Sequence, residues 1–246
     1  MHNALALYKN HSMNKTAVIT GASKGIGKAV AERFASERFD LIITARTAAD
    51  LDNVKREFEE KFDIQCLTFA ADLSVKSEAN AFCDFVRAQN TPIDVLVNNT
   101  GVFIQGELMN EPDGALEKQI NTNLYSAYWV TRGLIRSIQM ASAAHIFNVC
   151  SIASLAAYAG SGSYSISKFA LLGFSKSLRE ELKKDRIKVT SIMPGATYTS
   201  SWEGVDLPES RFMGAKDVAD TIWSAYSLSP SAVIEDIIMR PLEGDI

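Results

Sequence analysis

Short apolar runs alternate with amphipathic stretches along almost the whole chain, and this alternation most restricts what it can fold into. Runs at 17–20, 41–44, 65–70, 95–98, 145–149, 189–193 and 233–239 have the length of strands. Between them, 26–36, 49–61, 76–89, 114–141, 164–184 and 215–228 carry helical periodicity. Val95-Leu96-Val97 has no polar face, as a parallel strand covered on both sides requires. Strands joined by helices at this spacing imply right-handed crossovers. The expected fold is therefore α/β: a single Rossmann-type doubly wound parallel sheet of about seven strands, helices on both faces. With 246 residues, 47% hydrophobic and 22% charged, the chain is large enough to bury one such core.

Several function classes are disfavoured at once. A formal net charge of −4 gives no electrostatic reason to bind nucleic acid. No apolar run approaches the ~20 residues of a membrane span. The three cysteines, Cys66, Cys83 and Cys150, form no C-x-x-C, which suits a reducing compartment. No Cys/His set suggests a metal. Residues 1–14 are polar and mixed, lack the apolar stretch of a signal peptide, and are expected to be a flexible extension, with Met13 as an alternative start. Cytoplasm is the expected location.

The first strand opens into Thr20-Gly21-Ala22-Ser23-Lys24-Gly25-Ile26-Gly27. Glycines after a strand and before a helix allow a tight turn and close backbone approach, and the helix N-terminus offers free N–H groups to a diphosphate. No G-x-x-x-x-G-K-[ST] is present, so a P-loop is excluded. An NAD site places an acid ~20 residues on, against the ribose 2′-hydroxyl. Here that position is Ala45, followed by Arg46 and Thr47, and Lys24 can reach the same region. Two cations and no acid suit a 2′-phosphate, so NADP(H) is the expected cofactor. Asp72 ends the third strand and could contact the adenine, and Asn98-Asn99-Thr100-Gly101 ends the fourth and can line the cofactor site. All lie at carboxyl ends of strands, where open parallel sheets bind ligands.

Tyr164 and Lys168 stand four apart in a helical pattern and share a face. A free phenol titrates near 10 and is a poor base at neutrality, but an adjacent ammonium favours its phenolate. Such a tyrosine can exchange a proton with a carbonyl or alcohol oxygen. Ser151, after the fifth strand, can donate to that oxygen, and Asn123 can extend a proton relay through water. Lys168 can also hold the nicotinamide ribose. Either half alone is weak, since a Tyr-x-x-x-Lys on a helix is ordinarily surface. Their combination behind a dinucleotide loop is not.

From about Lys15 onward the chain resembles the short-chain dehydrogenase/reductase family. The resemblance rests on the glycine loop, Asp72-Leu73, Asn98-Asn99-Thr100-Gly101, Asn123, Ser151, Tyr164 with Lys168, and Pro194-Gly195. It implies a catalytic set of Ser151, Tyr164 and Lys168 assisted by Asn123. Cofactor contacts are implied at Gly21, Ser23, Lys24, Gly25, Ile26, Gly27, Arg46, Thr47, Asp72, Leu73, Asn99, Gly101, Tyr164, Lys168, Pro194, Gly195, Thr197 and Thr199. Thr100, Thr197 and Cys150 depart from the family's usual residues but remove no group the chemistry needs. Stretches at 44–51, 194–199 and 235–246 are similar to bacterial sepiapterin-reductase-like members.

The domain expected over 15–246 carries an irregular stretch at about 195–214, a length more often functional than incidental. Tyr198 and Trp202 in this lid, with Phe103, Leu155 and Tyr158, form an apolar and aromatic wall suited to a flat ring or hydrophobic carbonyl compound. The lid aromatics could equally pack the lid against the body. The expected activity is NADPH-dependent reduction of a ketone, pterin-type ketones being one candidate. Alternatives are a 3-oxoacyl thioester (acyl-carrier-protein) reductase and an NADP-sensing binding protein. The resemblance also implies a homodimer or homotetramer.

Overall fold

A computed structural model describes residues 14–199 and 206–245. Trp202 and all of the expected N-terminal extension except Asn14 lie outside the described residues. Seven parallel strands form one sheet: β1 (Thr16–Thr20), β2 (Asp40–Ala45), β3 (Cys66–Ala70), β4 (Val95–Asn98), β5 (His145–Val149), β6 (Lys188–Pro194) and β7 (Asp236–Met239), in the order β3-β2-β1-β4-β5-β6-β7. Chain order reverses between β1 and β4, which opens a crevice at their carboxyl ends.

Apolar residues on both faces of each strand account for the layers. Ala17, Ile19, Leu41, Ile43, Val95, Val97 and Phe147 face one core with α1 (Gly25–Ser36), α2 (Ala48–Lys61) and α7 (Ala215–Tyr226). Val18, Ile42, Leu96 and Ile146, the alternate positions, face the other with α3 (Lys76–Ala88), α5 (Ser126–Gln139) and the end of α6 (Gly162–Leu182). A smaller cluster of Ala127, Cys150, Leu171, Leu172 and Met193 lies between α5 and α6. Each cluster holds one of the three free cysteines: Cys66, Cys83 and Cys150 respectively. Burial pushes each thiol up to about 12. Cys83 occupies the space a side chain at Gly133 would need, since a Cβ there would stand 2.5 Å from its sulfur.

Two elements differ from expectation. The stretch 114–141 is not one α-helix. It comprises α4 (Ala115–Ile120), a π-helical turn (Asn121–Tyr125) and α5. The hydroxyls of Thr122 and Ser126 bond back to the carbonyls of Lys118 and Thr122 at 2.8 and 2.5 Å, competing with the regular ladder. β7 begins at Asp236 rather than Val233, because the Ile234 carbonyl is taken by the Thr190 hydroxyl at 2.5 Å instead of by a strand partner.

That same hydroxyl settles the state of His145. Its one hydrogen goes to Ile234, so it accepts from His145 Nε2 at 2.7 Å. Nδ1 is then a bare acceptor with no partner in the core. Burial, with help from the Lys188 charge, lowers the imidazole pKa from 6.5 to about 3. Between those two values the unfolded chain binds a proton that the folded chain refuses, so stability falls as pH drops from about 6.5 toward about 3. We expect His145→Gln to flatten this part of a urea-denaturation pH series, and an unchanged slope would remove His145 as a source of acid lability.

Candidate active site

The glycine loop is held from two strands. Gly21 and Gly25 have φ of +65° and +57°, a region costly to any residue with a side chain. A Cβ on Gly27 would lie 2.2 Å from the Gly21 carbonyl oxygen and 2.4 Å from Asn99 Nδ2. Asn99 donates through Nδ2 to the carbonyls of Thr20 and Gly21, both at 3.0 Å. The Thr20 hydroxyl accepts the N–H groups of Asn99 and Thr100 at 2.9 and 3.0 Å. No side-chain cap and no acid occupy the first turn of α1, which leaves its N-terminal dipole open to an anion. Thr199 stands against Gly25, where a Cβ would meet its methyl at 3.1 Å. Ile26 packs on the core, so Ser23 and Lys24 form the outer rim of the turn.

At the end of β2, Arg46 and Thr47 are exposed. Among the described residues neither Lys24 nor Arg46 is held in an ion pair. Burial raises the Asp72 carboxyl, but hydrogen bonds from Ser74 and the charges of Arg46 and Lys118 outweigh it and hold the group below the ordinary carboxylate range. Leu73 beside it is buried.

The reactive end assembles over β4 and β5. Lys168 is 5% exposed, and its Nζ donates to the Val149 carbonyl at 2.9 Å. Two of its three N–H donors remain. It lies 5.7 Å from the centre of the Tyr164 ring. Ser151 heads a short 3₁₀ turn (Ile152–Ser154) packed on α6. Its Oγ accepts from the Ala153 N–H at 3.1 Å, which leaves the hydroxyl hydrogen free to donate elsewhere. Asn123, fully buried in the π turn, grips both backbone groups of Val102 at 2.7 and 3.0 Å and donates to Ser167 Oγ at 2.8 Å. Gly101 is where these groups meet: a Cβ there would come within 3.3 Å of Asn123 Oδ1 and 3.6 Å of Lys168 Nζ. All four expected catalytic side chains thus surround the end of β4 and β5.

Phe103, Leu155 and Tyr198 are 49%, 42% and 44% exposed, high values for such apolar groups. The edge of Phe103 meets Tyr164 with centroids 4.8 Å apart. The described ends of the 195–214 stretch are paired across Thr197 and Met213, with Tyr198 N–H on the Met213 carbonyl at 2.8 Å and Tyr198 against Phe212 at 5.7 Å. Thr197 Oγ1 donates to the Gly195 carbonyl, and the Gly195 N–H bonds the Met239 carbonyl just past Pro194 at the end of β6. Tyr158 faces a group that local spacing did not single out. Its hydroxyl donates to Asp245 at 2.9 Å and accepts from Arg240 at 3.3 Å, while Arg211 pairs with Glu243. Gln119, which no sequence motif marks, is fully buried and accepts the Ile104 N–H at 3.0 Å.

The short chain dehydrogenase family model matches residues 15–209. Sepiapterin reductase of Chlorobaculum tepidum is 33% identical over 242 residues, covering 95% of this chain and 99% of that protein. Diacetyl reductase [(S)-acetoin forming] of Staphylococcus epidermidis is 32% identical over 216 residues, covering 87% and 83%. L-sorbose reductase of Gluconobacter frateurii, solved with NADPH and L-sorbose, superposes with a TM-score of 0.85 at 28% identity, covering 92% and 94%.

Gly27→Ala forces a Cβ into the Gly21 carbonyl and the Asn99 amide together. We expect it to weaken dinucleotide binding at least about tenfold, the scale of an overpacking strain of 1–3 kcal/mol. Titration of protein fluorescence checks this, and wild-type affinity would mean that the loop does not need this contact.

Proposed function

The chain belongs to the short-chain dehydrogenase family, NAD(P)-dependent oxidoreductases of carbonyls and alcohols, and we propose that it is an NADPH-dependent reductase of ring or apolar ketones, pterin-type ketones foremost. The observation that carries this reading is the buried Lys168 ammonium beside Tyr164. Among the described residues no carboxylate neutralises it, and a buried cation is costly unless something satisfies it. Its two spare donors suit a ribose hydroxyl, and its charge suits a phenolate.

The residues present fit the cofactor. The glycine loop with the α1 N-terminus would take the diphosphate, Thr199 and the segment after Pro194-Gly195 would lie along it, and Asp72 with Leu73 would border the adenine. Lys24 and Arg46, exposed and unpaired, suit a 2′-phosphate, and Ala45 provides no carboxylate to oppose it. NADPH, when bound, supplies the hydride. Tyr164 gives its phenolic proton to the substrate oxygen as the carbonyl is reduced, and the Lys168 charge stabilises the phenolate left behind. Ser151 donates its free hydroxyl hydrogen to the same oxygen, where charge develops. Asn123 holds Val102 and Ser167 in place, and its position beside Lys168 suits it to hold a water through which a proton relay extends.

For the substrate, the proposed wall is Phe103, Leu155, Tyr158 and Tyr198; its support is the exposed Phe103 edge-on to Tyr164 and the exposed Leu155 after the Ser151 turn, together with the likeness to sepiapterin and diacetyl reductases. The proposed lid is the stretch 195–214, whose described ends pair at Thr197 and Met213. Tyr125 stacked on Trp129 at 5.3 Å, with Phe169 46% exposed nearby in sequence to Tyr164, supports assembly as a homodimer or homotetramer. We place the enzyme in the cytoplasm. Among the described residues no helix is long and apolar enough to cross a membrane.

NADPH consumption at 340 nm with sepiapterin, a diketone and an acetoacetyl thioester tests the substrate class. Turnover confined to the thioester would replace the ring-ketone reading with the acyl-carrier one. Tyr164→Phe is expected to cut kcat by at least ~100-fold with NADPH affinity nearly unchanged, and retained turnover would refute its role. Arg46→Asp is expected to shift the NADPH/NADH preference at least about tenfold toward NADH, the scale of one charge-assisted hydrogen bond. An unchanged ratio would discard the 2′-phosphate assignment.

A further inference from the structure

The loop after β4 is fastened to the start of the catalytic helix by a side chain outside every motif noted above. Glu111 accepts the Ser163 N–H at 2.8 Å and the Ser163 hydroxyl. Ser163 is the second residue of α6 and directly precedes Tyr164. Two glycines make room for this carboxylate. A Cβ on Gly162 would stand 2.6 Å from Glu111 Oε1, and a Cβ on Gly106 would stand 2.6 Å from Glu111 Cγ. The backbones join at the same place, with Gly106 N–H on the Gly160 carbonyl at 2.9 Å and Gly162 N–H on the Gly106 carbonyl at 3.2 Å. On the other side of the loop, Asn123 grips Val102 and Gln119 grips Ile104. Phe103, between those two, lies edge-on to Tyr164.

We propose that Glu111 is a positioning residue for Tyr164, acting through Ser163 and the first turn of α6. The first four N–H groups of a helix lack partners within it, and a carboxylate there also opposes the positive end of the helix dipole. Glu111 supplies both to the turn that carries Tyr164, and the same carboxylate closes the loop that presents Phe103. Without it, the first turn can fray and Tyr164 can swing away from its site between Lys168 and the substrate. Lys168 sits a full turn deeper and stays pinned by Val149. The cofactor loop is fixed independently by Asn99 and Thr20. Loss of Glu111 therefore lowers turnover while sparing cofactor binding, a split that general unfolding would not produce.

This inference rests on the reductase reading for its kinetic arm, and a second arm stands without it. Three variants are made: Glu111→Ala, Glu111→Gln and Ser163→Ala. Glu111→Gln keeps an acceptor for the Ser163 N–H. Ser163→Ala loses only the hydroxyl bond. Protein carrying ¹³C at the tyrosine Cζ identifies the Tyr164 resonance by its loss in Tyr164→Phe. We expect this resonance to move or broaden in Glu111→Ala and to keep its place in Glu111→Gln. We expect kcat to fall about tenfold or more in Glu111→Ala, on the scale of a displaced reacting group. Ser163→Ala falls between that and wild type, Glu111→Gln stays within about threefold of wild type, and NADPH affinity is unchanged throughout. An unmoved Tyr164 resonance in Glu111→Ala overturns the proposal, as does a parallel loss of NADPH affinity and kcat. If wild type turns over none of the ketones, the reductase reading fails, and the resonance alone decides the role of Glu111. If Glu111→Ala does not fold, Ser163→Ala decides by the same resonance: displacement supports the proposal, and wild-type position refutes it.

Discussion

A single ammonium group organises the reactive half of this molecule. Lys168 has to be buried to sit beneath Tyr164, and burying a cation without a carboxylate is unfavourable unless backbone and neighbours are arranged around it. The Val149 carbonyl supplies one acceptor, which fixes α6 against the end of β5. Gly101 lacks a side chain where the ammonium and Asn123 converge. Asn123 in turn needs the π turn between α4 and α5 to aim at Val102 and Ser167. Around the position of one charge thus gather a helix irregularity, a glycine and the course of the loop after β4.

The cofactor half follows a different logic, in which the absence of side chains matters more than their presence. Gly27 and Gly21 bring β1, α1 and Asn99 close enough to share hydrogen bonds, so the loop arrives preformed rather than ordered by its ligand. Lys24 and Arg46 stand exposed at its outer side and, among the described residues, are held in no ion pair. Shape is built into the backbone there, while the proposed choice between dinucleotides falls to two surface cations that lie outside the core.

What could be read from the amino-acid order follows from distance along the chain. Strands covered on both sides are apolar on both faces, so 17–20, 41–44 and 95–98, polar only at their last residue, declared themselves, as did the glycine loop and the four-residue spacing of Tyr164 and Lys168. The π turn was hidden because its cause is hydroxyl back-bonding by Thr122 and Ser126, which leaves the helical period of apolar residues intact. The late start of β7 was hidden because it depends on Thr190, 44 residues away from Ile234. Glu111 meets Ser163 across 52 positions, and Tyr158 meets Asp245 across 87. No local pattern marks such pairs, since only the folded topology makes them neighbours. Asn123 is the intermediate case: its residue type suggested a relay, but its structural grip on Val102 needed coordinates.

The three cysteines give the architecture a property unrelated to catalysis. Each is sealed in a different packed layer, one on either side of the sheet and one between α5 and α6 next to Ser151. With thiols held near 12, none is a reactive thiolate in the folded chain. A thiol reagent therefore meets each sulfur only when its own layer opens. The rates at which Cys66, Cys83 and Cys150 become modified would report separately on the breathing of the two faces and of the catalytic wedge, so the native protein carries three internal reporters of local unfolding without any added label.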